Sequence, residues 1–231
     1  MKDTLKRYLD ENKIAYSDET LNSFVFYKDL LLEWNEKFNL TAITDEKGIA
    51  LKHFIDSLTI YKYVTNKERL ADIGTGAGFP GLPLKIAGYE GELVLVDSLK
   101  KRLGFLDEVI KELGLLKCKT VHSRAEDAGR GELREAFDVV TARAVAYLPV
   151  LCEYCLPLVK KGGTFIAMKG PEAEQELIDS ANAIKLLGGQ IEKIEELQIK
   201  DLERRIIIIK KLRETPSIYP RKAGTPKKNP L

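Results

Sequence analysis

Between residues 18 and 38 the apolar side chains of Leu21, Phe24, Tyr27, Leu31, Trp34 and Phe38 recur at steps of three and four. That spacing lines them up on one stripe of a helix, and packing against a core is the ordinary use of such a stripe. A shorter helix is predicted over 4–13. A third, capped by Asp45 or a neighbour, runs through His53, Ile55, Leu58 and Tyr61. Beyond residue 65 the pattern changes to short apolar runs that alternate with helical stretches. Strands are predicted for Leu70 to Ile73, Leu93 to Val96, Lys117 to Val121, Phe137 to Thr141, Thr164 to Met168, Ile191 to Ile199 and Arg205 to Lys210. The last is a dense β-branched run and reads as fully buried. Helices are predicted from Leu82, over Leu99 to Leu113 with Gly114 closing it, over Leu148 to Lys160, and over Glu172 to Leu187. Lys161-Gly162-Gly163 and Gly188-Gly189 read as turns. This alternation implies an α/β fold with a doubly wound, mostly parallel seven-stranded sheet. Three parts are expected: an N-terminal helical cap over 1–65, a sheet domain over 66–213 and a basic C-terminal tail over 214–231. From Thr215 onward the tail has four prolines and no acid, so it is expected to be extended and largely without regular structure.

A chain of 231 residues with 44% hydrophobic composition can bury a full core. No apolar run approaches membrane-spanning length, and MKDTLKRYLDENK is no signal peptide, so a cytoplasmic protein is expected. Cys118, Cys152 and Cys155 are too few for a disulfide framework. The C-x-x-C at Cys152 and Cys155 lies in an apolar helical stretch without a second ligand pair, so buried thiols are expected and no metal. The net charge of +2 hides an asymmetry. From Lys200 onward ten Lys and Arg stand against three Asp and Glu, giving +7 there and −5 in the rest. Such a basic end suits a polyanionic partner, although a solvated tail would have the same composition.

The chemistry concentrates in Leu70 to Ile86, LADIGTGAGFPGLPLKI. Strand, tight turn and helix follow one another, and Gly74, Gly76 and Gly78 let the backbone turn and a ligand approach. In an open α/β sheet such a loop lies in the crevice outside the carboxyl end of the first strand. Gly76, Gly78 and Gly81 also fit a dinucleotide G-x-G-x-x-G with Asp97 about twenty residues on. Pro80 and Pro83, however, remove two main-chain donors that a pyrophosphate would use, and Asp72 adds negative charge beside it. S-adenosylmethionine, a sulfonium with an amino group and no phosphate, suits these features better. A structural glycine turn is the remaining alternative. Asp97, with Ser98 at the end of the second strand, is placed to accept hydrogen bonds from ribose hydroxyls. The loop Ser123 to Asp127, holding Arg124, Ala125 and Glu126, should neighbour the adenine, with helix capping as the other use of Glu126. The fourth strand delivers Arg143 to the same rim. His53 and Asp56 share a helix face, either as a catalytic pair or, more ordinarily, in a local hydrogen bond.

The D-x-G-x-G-x-G loop with a later ribose acid resembles class I S-adenosylmethionine-dependent methyltransferases, which have a Rossmann-like fold. Taken in order, WNEKFNLTAIT, HFIDSL, DIGTGAGFPGLPLKI, LVDSLKKR, SRAED, TARAV and ERRIIIIK resemble the 16S ribosomal RNA guanine-N7 methyltransferase family called RsmG or GidB, over nearly the whole chain. The resemblance implies a cofactor site at Gly74, Gly76, Phe79, Asp97, Ala125, Glu126 and Arg143, with Asp72, Gly78 and Ser98 in the same loops. It also implies Arg124, Arg143 and Arg204 as basic groups around the active site or RNA. The expected partner is 16S ribosomal RNA or the small subunit, and the expected state is a monomer without membrane association. A non-catalytic RNA-binding or ribosome-assembly protein on the same fold is the competing reading. The chain has no N-P-P-Y-like loop after the fourth strand and no proline-cysteine nucleophile step, which fits a target nitrogen that needs no deprotonation.

Overall fold

A computed structural model describes all 231 residues. The chain begins with α1 (Lys2–Glu11) and α2 (Asp18–Phe38). Ser17 caps α2 by accepting from Thr20 N–H, and Asn39 ends it in the left-handed conformation. Asp45 accepts from Gly48 N–H at 2.7 Å to start α3 (Glu46–Gly48). A π-helical stretch, Ile49–Ile55, leads into α4 (Asp56–Leu58).

The sheet then builds in strand-helix steps: β1 (Arg69–Ile73), α5 (Gly81–Ile86), β2 (Glu92–Asp97), α6 (Lys100–Glu112), β3 (Cys118–His122), α7 (Ala125–Ala128) and β4 (Phe137–Arg143). After these come α8 (Leu148–Cys155), β5 (Val159–Lys169), α9 (Ala173–Leu186), β6 (Gly189–Ile199), β7 (Leu202–Lys211) and α10 (Thr225–Lys228). Strand order is β3-β2-β1-β4-β5-β7-β6. β1 to β5 are parallel, and β7 runs antiparallel to both β5 and β6. The order reverses between β1 and β4, so a crevice opens at their carboxyl ends.

Alternate residues of β7 serve opposite faces of the sheet. Ile206 and Ile208 join a core with the N-terminal helices, α5 and α6, while Ile207 and Ile209 join a second core under α8 and α9. The first 65 residues therefore share a core with the sheet: Tyr27 stacks on Phe54 and Phe105 and packs against Phe79. No helix is long and apolar enough to cross a membrane. Cys152 and Cys155 are buried free thiols, and burial pushes both well above the usual thiol pKa.

One helix is shorter than expected. The helix predicted to reach Lys160 ends at Cys155, because Pro157 cannot donate to an α-helical ladder; a 3-10 turn at Leu156–Leu158 follows. Lys161, Gly162 and Gly163 fall within the bounds of β5 as a bulge between the partners of Phe137 and Val139, and Gly162 turns there at φ +84°. The tail has the largely irregular course expected of it, but it is docked on the protein and is not a solvated end. It has only α10 as regular structure, but Thr215 and Pro226 are buried and the intervening chain lies against α7 and α8. Main-chain carbonyls captured by arginines hold it there: Arg134 donates to Thr215 O at 2.6 Å and Tyr219 O at 2.8 Å, and Arg130 to Pro220 O at 2.7 Å.

Candidate active site

The glycine loop is folded onto β2 before any ligand is considered. Gly74 N–H and Thr75 N–H both donate to Val96 O, and Gly76 N–H donates to Asp97 Oδ2 at 3.0 Å. Gly74 has φ +66°, and a Cβ there would come within 2.7 Å of Val145. Gly76 has φ +61°, but its nearest neighbour to such a Cβ is 3.9 Å away. Gly76 thus needs glycine for its conformation and leaves open space above the main chain.

Asp72 does not face that space, contrary to the placement expected for it. It is fully buried beneath the loop, where Oδ2 accepts from Thr75 Oγ1 at 2.7 Å and Gly81 N–H at 2.9 Å while Oδ1 has no partner. Burial pushes its pKa up to about 6. The first turn of α5 has little to offer a phosphate. Phe79 N–H donates to Thr75 O, Gly81 N–H to Asp72 and Leu82 N–H to Gly78 O, while Pro80 and Pro83 have none. The disposition of charge and donors therefore fits a sulfonium nucleoside and not a pyrophosphate.

A crevice of about 400 Å³ lies at the ends of β1, β2 and β3, lined among others by Gly74, Asp97, Ser98, Ala125, Glu126 and Lys227. Asp97 is nearly buried and ties three elements together. Its Oδ1 accepts from Leu99 N–H at 2.8 Å, and its Oδ2 from Gly76 N–H and from Arg102 Nη1 at 3.3 Å. Glu126 is not a helix cap: its Oε1 accepts from Gly224 N–H at 2.9 Å, and no hydrogen bond within the chain uses Oε2. Arg124 is exposed at the crevice without an ion pair.

A second cavity, about 380 Å³, adjoins the first at Ala144 and is lined by His53, Asp56, Arg143, Met168, Lys169 and Arg204, among others. Ala144 itself sits at φ +55°, a left-handed conformation that costs a non-glycine residue about 1 kcal/mol or more. Asp56 is buried and accepts from Arg143 Nη1 and Arg204 Nε, each at 2.8 Å. His53 and Asp56 therefore do not pair with each other, as a shared helix face had suggested. His53 Nδ1 lies 3.2 Å from Lys52 O, an atom that can only accept, so Nδ1 carries the proton. Nε2 must then accept from Thr41 Oγ1 at 2.8 Å. Burial, together with the Arg143 charge, pushes the imidazole pKa down to about 4. The ring stacks on Phe79 at 4.5 Å, and the Arg143 guanidinium covers the same Phe79 ring at 5.0 Å.

Of the residues singled out from sequence, Gly74, Asp97, Ser98, Arg124, Ala125 and Glu126 share the first cavity, and Arg143 and Arg204 share the second. Gly76, Gly78 and Phe79 line neither; Gly76 N–H is bonded to Asp97, Gly78 abuts Tyr27 and Leu82, and Phe79 is the packed floor under His53 and Arg143. Sequence reasoning missed Arg102, Tyr154 and Lys227 at the first cavity and Lys169 at the second. Only Arg102 carried a signal, five residues after Asp97 and one helical turn into α6. A larger cavity of about 510 Å³ lies between α1 and the β6–β7 hairpin, away from the strand ends.

A glycine loop at the switch point of this sheet, with an antiparallel β7 beside β5, defines a class I S-adenosylmethionine-dependent methyltransferase. Solved structures agree on the fold: TYW2 from M. jannaschii in complex with AdoMet covers 73% of this chain and 77% of its own at TM-score 0.57 and 15% identity. A SAM-dependent methyltransferase from Aquifex aeolicus covers 71% and 93% at TM-score 0.54 and 15% identity. The GidB family model, rRNA small subunit methyltransferase G, matches residues 20–207. Ribosomal RNA small subunit methyltransferase G of Desulfitobacterium hafniense is 55% identical over 94% of this chain and 92% of its own, and that of Alkaliphilus oremlandii is 50% identical over 100% and 99%. The chain belongs to the GidB family of small-subunit rRNA methyltransferases.

Proposed function

We propose that the protein transfers a methyl group from S-adenosylmethionine to N7 of a guanosine in 16S ribosomal RNA, with the cofactor in the first cavity and the base in the second. The observation that carries this reading is the junction of the two cavities at Ala144 with no free general base beside it. When bound, S-adenosylmethionine supplies a methyl group activated by a sulfonium. Asp97 has about four acceptor sites on its carboxylate, of which three are used within the chain, so one remains for a ribose hydroxyl and a second if Arg102 swings out. Glu126 Oε2 is unclaimed and suits the exocyclic amine of adenine.

On the acceptor side, guanine N7 has a lone pair and gives up no proton. His53 is neutral at pH 7 and its one basic nitrogen is engaged by Thr41, so it orients and does not deprotonate. Positive charge grows on guanine as the methyl arrives. The two arginines nearest the second cavity share the carboxylate of Asp56, which tempers their repulsion of that charge. Positioning of donor and acceptor then supplies much of the rate. Arg124, exposed and unpaired at the crevice, fits an RNA phosphate. The test is to incubate the protein with small-subunit RNA and methyl donor and to map N7-methylguanosine by chemical cleavage. Modification at an exocyclic amine or on a pyrimidine would refute the assignment.

A further inference from the structure

The C-terminal segment ends at the crevice just assigned to the cofactor, and its course is fixed at charged points. Glu153 on α8 is fully buried, and its only hydrogen bonds come from Arg221, whose N–H, Nε and Nη2 reach it at 2.6 to 3.1 Å. A buried carboxylate without its cation is strongly unfavourable, so the docked strap is the resting state of the chain. Three residues on, Gly224 turns at φ +83° in open space and aims its N–H at Glu126 Oε1. That bond fixes the carboxylate and leaves Oε2 free. The following α10 brings Lys227 to the crevice mouth beside Tyr154, Ala125 and Glu126.

We propose that Gly224 and Lys227 are part of the nucleoside end of the methyl-donor site. The strap aims Glu126 at an amine donor of the purine, and the Lys227 ammonium donates toward the acceptor nitrogens of its ring. This rests on the crevice being the cofactor site. It also changes the meaning of the basic tail. Of the four cations in 214–231, Arg221 is spent on Glu153 and Lys227 faces the crevice, which leaves Lys222 and Lys228 for an RNA backbone.

The experiment measures calorimetric affinity for S-adenosylhomocysteine and, by competition, for adenosine. The proteins are wild type, Lys227→Ala, a truncation after Lys222 that keeps the Arg221 pair, and Asp97→Ala as the control within the crevice. Truncation should weaken both ligands at least tenfold and by the same factor, because the strap touches only the nucleoside they share. Lys227→Ala, a change at an exposed position, should weaken both three- to tenfold without altering thermal unfolding of the ligand-free protein. If Asp97→Ala loses affinity while both strap variants bind like wild type, the strap is not part of the site. Loss for S-adenosylhomocysteine alone would also overturn the proposal. If Asp97→Ala too binds unchanged, the crevice is not the cofactor site and both readings fall.

Discussion

Asp56 and Arg204 stand 148 residues apart in the chain and meet at 2.8 Å, with Arg143 on the other carboxylate oxygen at the same distance. One buried acid of the N-terminal region thereby fixes the end of β4 and the start of β7 around a single cavity.

Removing that acid leaves two guanidinium groups, both largely shielded, without a counter-charge. Asp56→Ala is expected to cost about 3–5 kcal/mol, the range for breaking a buried ion pair from one side. Urea unfolding checks this, and a loss below about 1 kcal/mol would mean that solvent compensates the arginines.

Asp97 joins the glycine loop, α6 and the proposed ribose position. Asp97→Ala should weaken S-adenosylmethionine binding by about 1–3 kcal/mol, the scale of hydrogen bonds to a charged acceptor. Calorimetry with equal affinities for wild type and variant would take Asp97 out of the site.

Half-buried His53 and fully buried Asp72 give stability opposite dependences on pH. His53 is pushed down to about 4 in the folded protein, from an ordinary value near 6.5, so the unfolded chain binds its proton more readily and stability rises as pH climbs from about 4 to 6.5. Asp72 is pushed up to about 6, from an ordinary value near 3.9, so the folded chain holds that proton and stability falls as pH climbs from about 4 to 6. Each tenfold change in proton affinity corresponds to about 1.4 kcal/mol, and the two slopes largely offset in wild type. Unfolding free energy measured from pH 4 to 7 should therefore fall with pH in His53→Gln and rise with pH in Asp72→Asn. Parallel profiles for all three proteins would contradict both assignments.

RNA affinity should decrease with added salt through counterion release. Arg124→Ala should make the logarithmic slope shallower by about 0.7–0.9, the share of one phosphate. An unchanged slope would mean that Arg124 touches no backbone.

Local pattern carried the fold and half of the site. The glycine loop, Asp97 and the Arg124 to Glu126 loop lie at strand ends, where short-range alternation of apolar runs and turn residues places them. The second cavity was less legible, because Asp56, Arg143 and Arg204 meet only through the sheet order. Sequence spacing instead paired Asp56 with its helix neighbour His53. The strap was missed for a different reason. It docks by arginines holding main-chain carbonyls and by the buried Arg221–Glu153 pair, none of which leaves a hydropathy signal. α8 ends early because Pro157 interrupts the hydrogen-bond ladder within a run whose apolar pattern continues past it.

The base-free transfer is tested most directly by single-turnover methylation of small-subunit RNA from pH 6 to 9, with wild type, His53→Ala and His122→Ala. His53 is locked as an acceptor from Thr41, and His122 Nε2 lies 3.0 Å from Ser98 O on the β2 side of the crevice. Neither group takes a proton from guanine, so the rate should stay flat with pH. Each variant should remain within about tenfold of wild type, about 1.4 kcal/mol in the barrier. A steep rise through pH 7 that disappears in either variant would show a base at work and contradict direct attack by N7.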